Sequence, residues 1–428
     1  MQKTINIITL GCSKNLVDSE RLARQLAALN YRVVFDSNRF TPIVIINTCG
    51  FIHDAKEESV QTILNAIQAK EQGKIKQVFV IGCLSERYAN ELRSEIPEVD
   101  AYFGARNFAD VLQALQSEQA DGLLQERILS TPKHISYLKL AEGCNRKCAF
   151  CAIPAIRGAH VSTPIKTLVQ EAQFLAKHGV KELSLISQDL SYYGVDLYKK
   201  NALAELLPQL EAIDGLEWIR LHYLYPNNFP VEILPLMQQS QKICHYIDIP
   251  FQHSSSVVLN AMRRGSSEEE TWKLIETMRT AVPDIAIRTS LIVGYPSETE
   301  QEFEKLLQFV RHAQFDRVGV FTYSHEEGTY AAEQYKDAIP QHEKEARRDA
   351  VMTLQNEISL QKNKQHIGKI MKVLVDRKEG NSYVGRTQYD AYEVDNEVII
   401  NSAKRLFVGK FYSVRIDNAD AYELIGEI

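Results

Sequence analysis

With 428 residues, 45% of them hydrophobic and 24% charged, the chain has a globular composition and enough length for two or three separate cores. A net charge of −6 gives no support for a broad basic surface against nucleic acid. The opening MQKTINIITLGC has neither the length nor the flanks of a signal peptide or membrane span, so a cytoplasmic protein with no membrane partner is expected. In that compartment structural disulfides are disfavoured, and an odd total of seven cysteines points to metal ligands or catalytic thiols.

Residues 1–128 alternate apolar strand runs with helical ones. INIITL precedes DSERLARQLAALN, PIVIINT precedes HDAKEESVQTILNAI, and QVFVIG precedes SERYANELRSEI. This is the pattern of parallel βα units in an open sheet. A linker is expected over SEQADGLLQERILSTPKH, which is polar and weakly patterned. Residues 135–340 carry six more strands: ISYLKLA, KELSLIS, EWIRLHYL, YIDIPF, IAIRTSLIVG and RVGVFTY. Six βα units predict a partial (β/α)6 barrel, two short of a complete one. The helix in PIKTLVQEAQFLAKHG is expected to have Thr163 as N-cap and Pro164 as first helical residue. A charged connecting helix follows over 341–368. The block 369–428, with KIMKVLVD, YVGRT, EVII and FYSVRI, predicts a small all-β domain.

The cysteines define two sets. Cys144, Cys148 and Cys151 lie in GCNRKCAFC, directly after the first strand of the barrel and at the end where such folds place active sites. Structural zinc wants four ligands, and no fourth cysteine is nearby, although His160 is a candidate. Three cysteines on a four-iron cluster leave one iron open, and the spacing favours that reading. Cys12, Cys49 and Cys83 each fall where a strand stops and a helix is about to begin. In a parallel sheet this puts them on one C-terminal edge, near helix N-termini that favour thiolates. Three inert core thiols are the alternative. Cys244, before a buried-looking strand, reads as core.

C-x3-C-x2-C after the first strand of a six-unit barrel, with Phe150 before the third cysteine, resembles the radical S-adenosylmethionine superfamily. Two three-cysteine sets, an open α/β domain, that barrel and a TRAM-like β-domain together resemble the methylthiotransferase family over essentially the whole chain. GCSKNLVDSE, NTCGFI, LISQDLSYYG, RLHYLYP, IDIPFQHSSSVVLNAMRR and FTYSHEEGTYA are similar to its RimO-type branch, which modifies a ribosomal protein. The resemblance implies two [4Fe-4S] clusters, on Cys144, Cys148 and Cys151 and on Cys12, Cys49 and Cys83, together with S-adenosyl-L-methionine. It implies methylthiolation of the β-carbon of an aspartate on the twelfth small-subunit ribosomal protein, free or on the ribosome. An electron donor such as flavodoxin or ferredoxin is then required, and the sulfur donor is left unnamed.

Carried over residue by residue, Phe150, Gln188, Arg288 and Ile292 are the cofactor-binding candidates. Gln188 ends the second barrel strand, and a satisfied loop polar group is its alternative. Arg288 is placed to bind the cofactor carboxylate, with an internal ion pair to Asp248 as the alternative. SLIVGYPSE resembles the superfamily's G-x-I-x-G-x-x-E segment, in which Ile292 packs on adenine, but Ser290 stands where the first glycine is usual. His222 and His253 sit in strand-end motifs without a role. From His366 to Ile428 nine Lys/Arg face ten Asp/Glu, which suits a basic protein partner better than tRNA, with Lys404, Arg405 and Lys410 as the candidates for a local basic patch. A tRNA adenosine methylthiotransferase of the same fold and a zinc-stapled binding protein remain the competing readings.

Overall fold

The run IVIINT is buried along its whole length, as a parallel strand covered on both faces must be. In the computed structural model, which describes residues 3–115 and 126–428, this run is a central strand of the first sheet. The sheet comprises β1 (Thr4–Thr9), β2 (Arg32–Phe35), β3 (Ile43–Thr48), β4 (Gln77–Gly82) and β5 (Ala101–Tyr102). All pairings are parallel, in the order β2-β1-β3-β4-β5. Helices α1 (Ser13–Ala28), α2 (His53–Glu71), α3 (Cys83–Arg87), α4 (Ala89–Glu95) and α5 (Phe108–Ala114) accompany it. The two edge strands β2 and β5 were not expected. At four and two residues they are too short for a readable alternation.

The six predicted barrel strands all form: β6 (Ile135–Lys139), β9 (Glu182–Ile186), β10 (Trp218–Leu221), β11 (Ile243–Asp248), β12 (Ala286–Val293) and β13 (Arg317–Thr322). They pair in sequence order as one parallel six-stranded sheet. Leu183, Leu185, Ile219, Leu221, Ile247 and Ile287 join the large helix-facing core. The residues between them along the strands, such as Arg220, Tyr246, Asp248 and Arg288, point to the other face, so the concave interior is polar. A hairpin of β7 (Ala141–Glu142) and β8 (Val161–Ser162) brackets the cysteine loop and α6 (Ile153–Arg157).

Helix α7 runs from Ile165 to Lys177, and its N-cap is Pro164, not Thr163. Pro164 has an extended ψ of 142°, which delays the helix by one residue. Thr163 is instead tied to the strands, its N–H donating to Leu140 O (2.8 Å) and its carbonyl accepting from the Tyr193 hydroxyl (2.9 Å).

The C-terminal block is a closed barrel of β14 (Ile370–Glu379), β15 (Ser382–Arg386), β16 (Glu397–Asn401), β17 (Phe411–Ala419) and β18 (Glu423–Glu427). The last strand was not expected. The charged helix Gln341–Lys364 links the two barrels, and Asn363 near its end donates to Asp420 O (2.7 Å).

The small barrel is not a separate bead. Its 386–395 segment plugs the bottom of the large one. Arg386 reaches Glu182 (2.7 Å) and Asp376 (2.7 Å), and Arg220 reaches Glu182 (2.8 Å) and Gln388 O (2.7 Å). Tyr246 donates to Asp395 (2.7 Å), and Arg317 pairs with Asp390. Cys244 is core, as expected, packed with Trp218, Leu374 and Ala391 at this junction.

Of the predicted linker, residues 117–125 lie outside the described residues. The remainder is bolted down. Arg127 is fully buried between Glu20 (3.2 Å) and Glu171 (3.1 Å) and donates to Tyr137 O (2.6 Å). No helix among the described residues is long and apolar enough to cross a membrane.

Candidate active site

The first thiol set is built by register. Thr9 pairs with Asn47, and Asn47 with Ile81, so β1, β3 and β4 end level with one another. Cys12 follows its strand end by three residues, and Cys49 and Cys83 follow theirs by one. Cys12 is the N-cap of α1 and Cys83 opens α3. Asn15 ties the strand ends together, its side-chain amide donating to Leu10 O (2.9 Å) and Thr48 O (3.1 Å). Gly11 has φ of +87°, and a Cβ there would stand 2.7 Å from Cys49 Cβ, so only glycine lets this loop close on Cys49. Burial pushes the Cys49 thiol up and the Cys83 thiol up to about 11, and the neighbouring Cys12 adds to both shifts. The expected preference for thiolates at helix N-termini is therefore outweighed by desolvation.

The second set lies in the loop between the hairpin strand β7 and α6. Burial raises Cys144 to about 11 and Cys151 to about 12, with Cys148 adding to each. Around them stand groups with N–H and O–H donors. Arg146 N–H donates to Cys144 Sγ (3.4 Å), Arg264 to Cys148 Sγ (3.3 Å), and the Tyr225 hydroxyl lies 3.4 Å from Cys148 Sγ. The Tyr225 ring has the guanidinium carbons of Arg146 and Arg264 each 4.0 Å from its centroid. Arg146 is neutralised by Asp189 at 2.6 Å. Arg264 is buried, yet among the described residues it forms no ion pair with a carboxylate. A buried cation beside cysteines is balanced when those cysteines are thiolates, as cluster ligands are.

A buried polar bridge joins the two domains beside the first set. Arg157, at the end of α6, donates to Cys83 Sγ (3.2 Å), to Asp18 (2.8 Å) and to Asn15. Lys139 contacts Asp18 and Glu142, the latter at 2.8 Å. Burial alone would raise the Asp18 carboxyl, but Lys139 and Arg157 more than reverse this and hold it below its ordinary value. Thus the barrel's own arginine touches the N-terminal sheet's cysteine. Among the described residues no group of three or more His, Cys, Asp or Glu could hold a metal ion, so neither thiol set is drawn tight around one centre.

The remaining expected residues fall as follows. Phe150 and Ile292 are half-buried in one apolar cluster with Ala149, Val258 and Tyr295. Gln188 is half-buried just past the end of β9. Arg288 is engaged by Asp248 (2.9 Å) and Asp395 (3.3 Å), the internal pairing that was its alternative. Ser290 lies beside an isolated bridge between Gln252 and Leu291. Gln252, with φ of 72°, donates its N–H to Ser290 O (2.9 Å) and accepts from Ile292 N–H (2.7 Å). His253 is structural, linking Glu298 (3.1 Å) to the Ser255 N–H (3.0 Å). His160 Nε2 contacts Ser162 (3.0 Å) and its ring packs edge-on to Tyr192, while Nδ1 is buried without a hydrogen-bond partner among the described residues. Asn15, Asp18, Lys139, Arg157, Tyr225 and Arg264 were missed. Most lie inside or beside stretches that sequence reading had singled out, but their roles depend on contacts across domains.

Two loops of thiols on facing strand edges, one above a polar partial barrel, define a radical-enzyme architecture with a second thiol-bearing domain. The Radical SAM superfamily model matches residues 138–310, the TRAM domain model residues 367–428, and the model of Uncharacterized protein family UPF0004 residues 4–104. The solved radical S-adenosylmethionine methyltransferase TsrM from Kitasatospora setae superposes with a TM-score of 0.55. The match covers 75% of each chain at 13% identity, a likeness of fold. Ribosomal protein uS12 methylthiotransferase RimO of Bacteroides fragilis is 52% identical over all of this chain and 99% of its own length. The RimO of Christiangramia forsetii is 51% identical over 99% of this chain and 94% of its own. The chain belongs to the RimO family of ribosomal protein uS12 methylthiotransferases.

Proposed function

We propose that this chain methylthiolates the β-carbon of an aspartate on ribosomal protein uS12 by radical S-adenosylmethionine chemistry. The observation that carries the reading is the pair of three-cysteine sets, one on the edge of the first sheet and one in the barrel's loop, with the barrel's Arg157 donating to Cys83. An aliphatic C–H is too weak an acid for a side-chain base working near neutral pH. When bound, a four-iron cluster with one iron free of cysteine supplies the electron that cleaves S-adenosylmethionine to a carbon radical able to take that hydrogen atom.

The donor set fits such groups. A four-iron cluster takes one thiol per iron, so its ligands stand further apart than those of zinc, which all reach one ion at about 2.3 Å. Cys144, Cys148 and Cys151 would hold the first cluster, and Cys12, Cys49 and Cys83 the second. Arg264 and Tyr225 donate toward Cys148 and Arg157 toward Cys83, which stabilises thiolate over thiol. Phe150 and Ile292 form an apolar wall suited to adenine, and Gln188 offers a polar edge beside it. Arg288 can meet the cofactor carboxylate only by sharing a guanidinium already held by two aspartates. The buried Asp18–Lys139–Glu142–Arg157 bridge keeps water out of the domain junction and fixes the distance between the two thiol sets.

The reaction also needs an electron donor of the flavodoxin or ferredoxin type and a sulfur source, and we place it in the cytoplasm. The near-neutral charge of residues 366–428 supports a basic protein substrate over tRNA. Anaerobic incubation with S-adenosylmethionine, reductant, sulfide and either uS12 or tRNA is the test. Mass spectrometry should find one added methylthio group on an aspartate of uS12. Its appearance on tRNA alone would overturn the reading.

A further inference from the structure

Lys14 is buried at the junction between the first sheet and the large barrel, two residues from Cys12. Its ammonium sits 3.0 Å from the centroid of the Tyr223 ring. A ring face attracts the charge, but the three N–H donors still call for acceptors. Among the described residues Lys14 forms no hydrogen bond or ion pair. The acid one helical turn away, Asp18, is fully taken, one oxygen by Lys139 and the other by Arg157. Asp248, near Tyr223, is likewise taken by Arg288 and by the Tyr223 N–H (3.3 Å).

Tyr223 itself is held in an unusual place. Its φ of 58° is uncommon for a bulky residue and is maintained by that bond and by Leu190 N–H to its carbonyl (3.0 Å). Beside it, His222 is buried with Nε2 unpartnered, its ring 5.9 Å from that of Tyr223. Two residues further on, the Tyr225 hydroxyl touches Cys148 Sγ. The Lys14–Tyr223 contact therefore lies on the path between the two thiol sets, where a reacting carbon has to sit.

We propose that Lys14 binds the side-chain carboxylate of the aspartate being modified and so determines substrate specificity. The carboxylate is attached to the reacting β-carbon, so fixing it over Tyr223 also fixes which C–H faces the barrel. An adenosine has no such group, and the ammonium of this largely buried side chain would then lack its partner. This inference rests on the uS12 reading above.

The test measures binding at low ionic strength under anaerobic conditions. The probes are uS12 and uS12 carrying asparagine in place of the modified aspartate. A charge-assisted bond should make the wild-type enzyme prefer the aspartate form by about tenfold or more. Lys14→Met should bind both forms equally, at the wild-type affinity for the asparagine form, and Lys14→Arg should restore part of the preference. Unchanged iron content in the variants shows that the clusters and fold survive. Full discrimination by Lys14→Met, or an equal loss for both probes, would make Lys14 a structural clamp and overturn the proposal. If wild-type enzyme binds neither probe, the uS12 reading itself fails and takes this inference with it.

Discussion

The two ends of the large barrel are built on opposite principles. At the bottom, the buried charges are paired. Glu182 receives Arg220 and Arg386, Asp376 receives Arg386 and His134 (2.9 Å), and Asp390 receives Arg317. At the top stand the two thiol sets, Tyr223 and Gln252 hold positive φ, and among the described residues His222 Nε2 has no partner and the buried Arg264 no carboxylate. Paired charges fix a shape, whereas unpaired and strained groups persist where ligands and chemistry complete them. The bottom is therefore the anchor, and the top the workplace.

The largest effect should come from breaking the top. In a Cys12→Ala/Cys49→Ala/Cys83→Ala protein, methylthiolation of uS12 should vanish while reductive cleavage of S-adenosylmethionine persists. Iron should fall from about eight per chain to about four. About four irons in both proteins would remove the second cluster from the mechanism, and zinc without iron would remove both.

Breaking the bottom should cost folding free energy instead. Glu182→Gln leaves two fully buried arginines short of a carboxylate, which places the loss near the upper end of the range for such changes, about 5 kcal/mol by urea unfolding. Burial raises the Glu182 carboxyl, but Arg386 and Arg220 overcome this and lower it from 4.5 to about 2. A depressed carboxyl stabilises the fold above its unfolded value and loses that contribution as pH falls through the folded one. The gap between wild type and Glu182→Gln should be constant above pH 4.5 and close as pH is lowered toward about 2. A gap that does not change with pH would mean that the carboxylate's charge is not what matters there.

These two ends also differ in how far sequence reveals them. The top was legible because its chemistry is local. GCNRKCAFC carries three ligands in one loop, and each of Cys12, Cys49 and Cys83 follows an apolar run that reads as a strand. The six barrel strands were legible for the same reason, since a run such as ELSLI or AIRTSLIV announces itself. The bottom was invisible. Glu182 pairs with Arg386, more than two hundred residues away, and nothing in KELSLIS or YVGRT says that they meet. The docking of the small barrel on the large one was accordingly not foreseen, nor that Asp395 from that distant loop would join Asp248 on Arg288. The bridge at Arg157 was hidden for a third reason. Helix α1 begins at Ser13, five residues before the run DSERLARQLAALN that was read as helical, and the added turn buries Lys14 and Asn15, the latter against Arg157.

Arg157 belongs to the top yet is paired like the bottom, so its removal measures how much of the anchor's behaviour the workplace shares. Arg157→Met leaves Asp18 with Lys139 still in place, so the expected cost lies at the low end, about 3 kcal/mol. Because Arg157 also donates to Cys83 Sγ, the visible spectrum of the second cluster should shift while that of the first does not. A stability loss without that spectral change would make Arg157 a domain clamp only.

The smallest effect should come from Thr163, just beyond the hairpin that brackets the barrel's cysteine loop. Had it been the N-cap of α7, replacing it with alanine would cost about 1 kcal/mol. Its side chain makes no cap bond, and its two ties to the strands run through backbone N–H and carbonyl, which alanine keeps. Thr163→Ala should therefore stay within about 0.5 kcal/mol of wild type in urea unfolding. A loss of about 1 kcal/mol would show that the hydroxyl caps α7 after all, and that helix entry beside the cysteine loop depends on this side chain rather than on the fixed φ of Pro164.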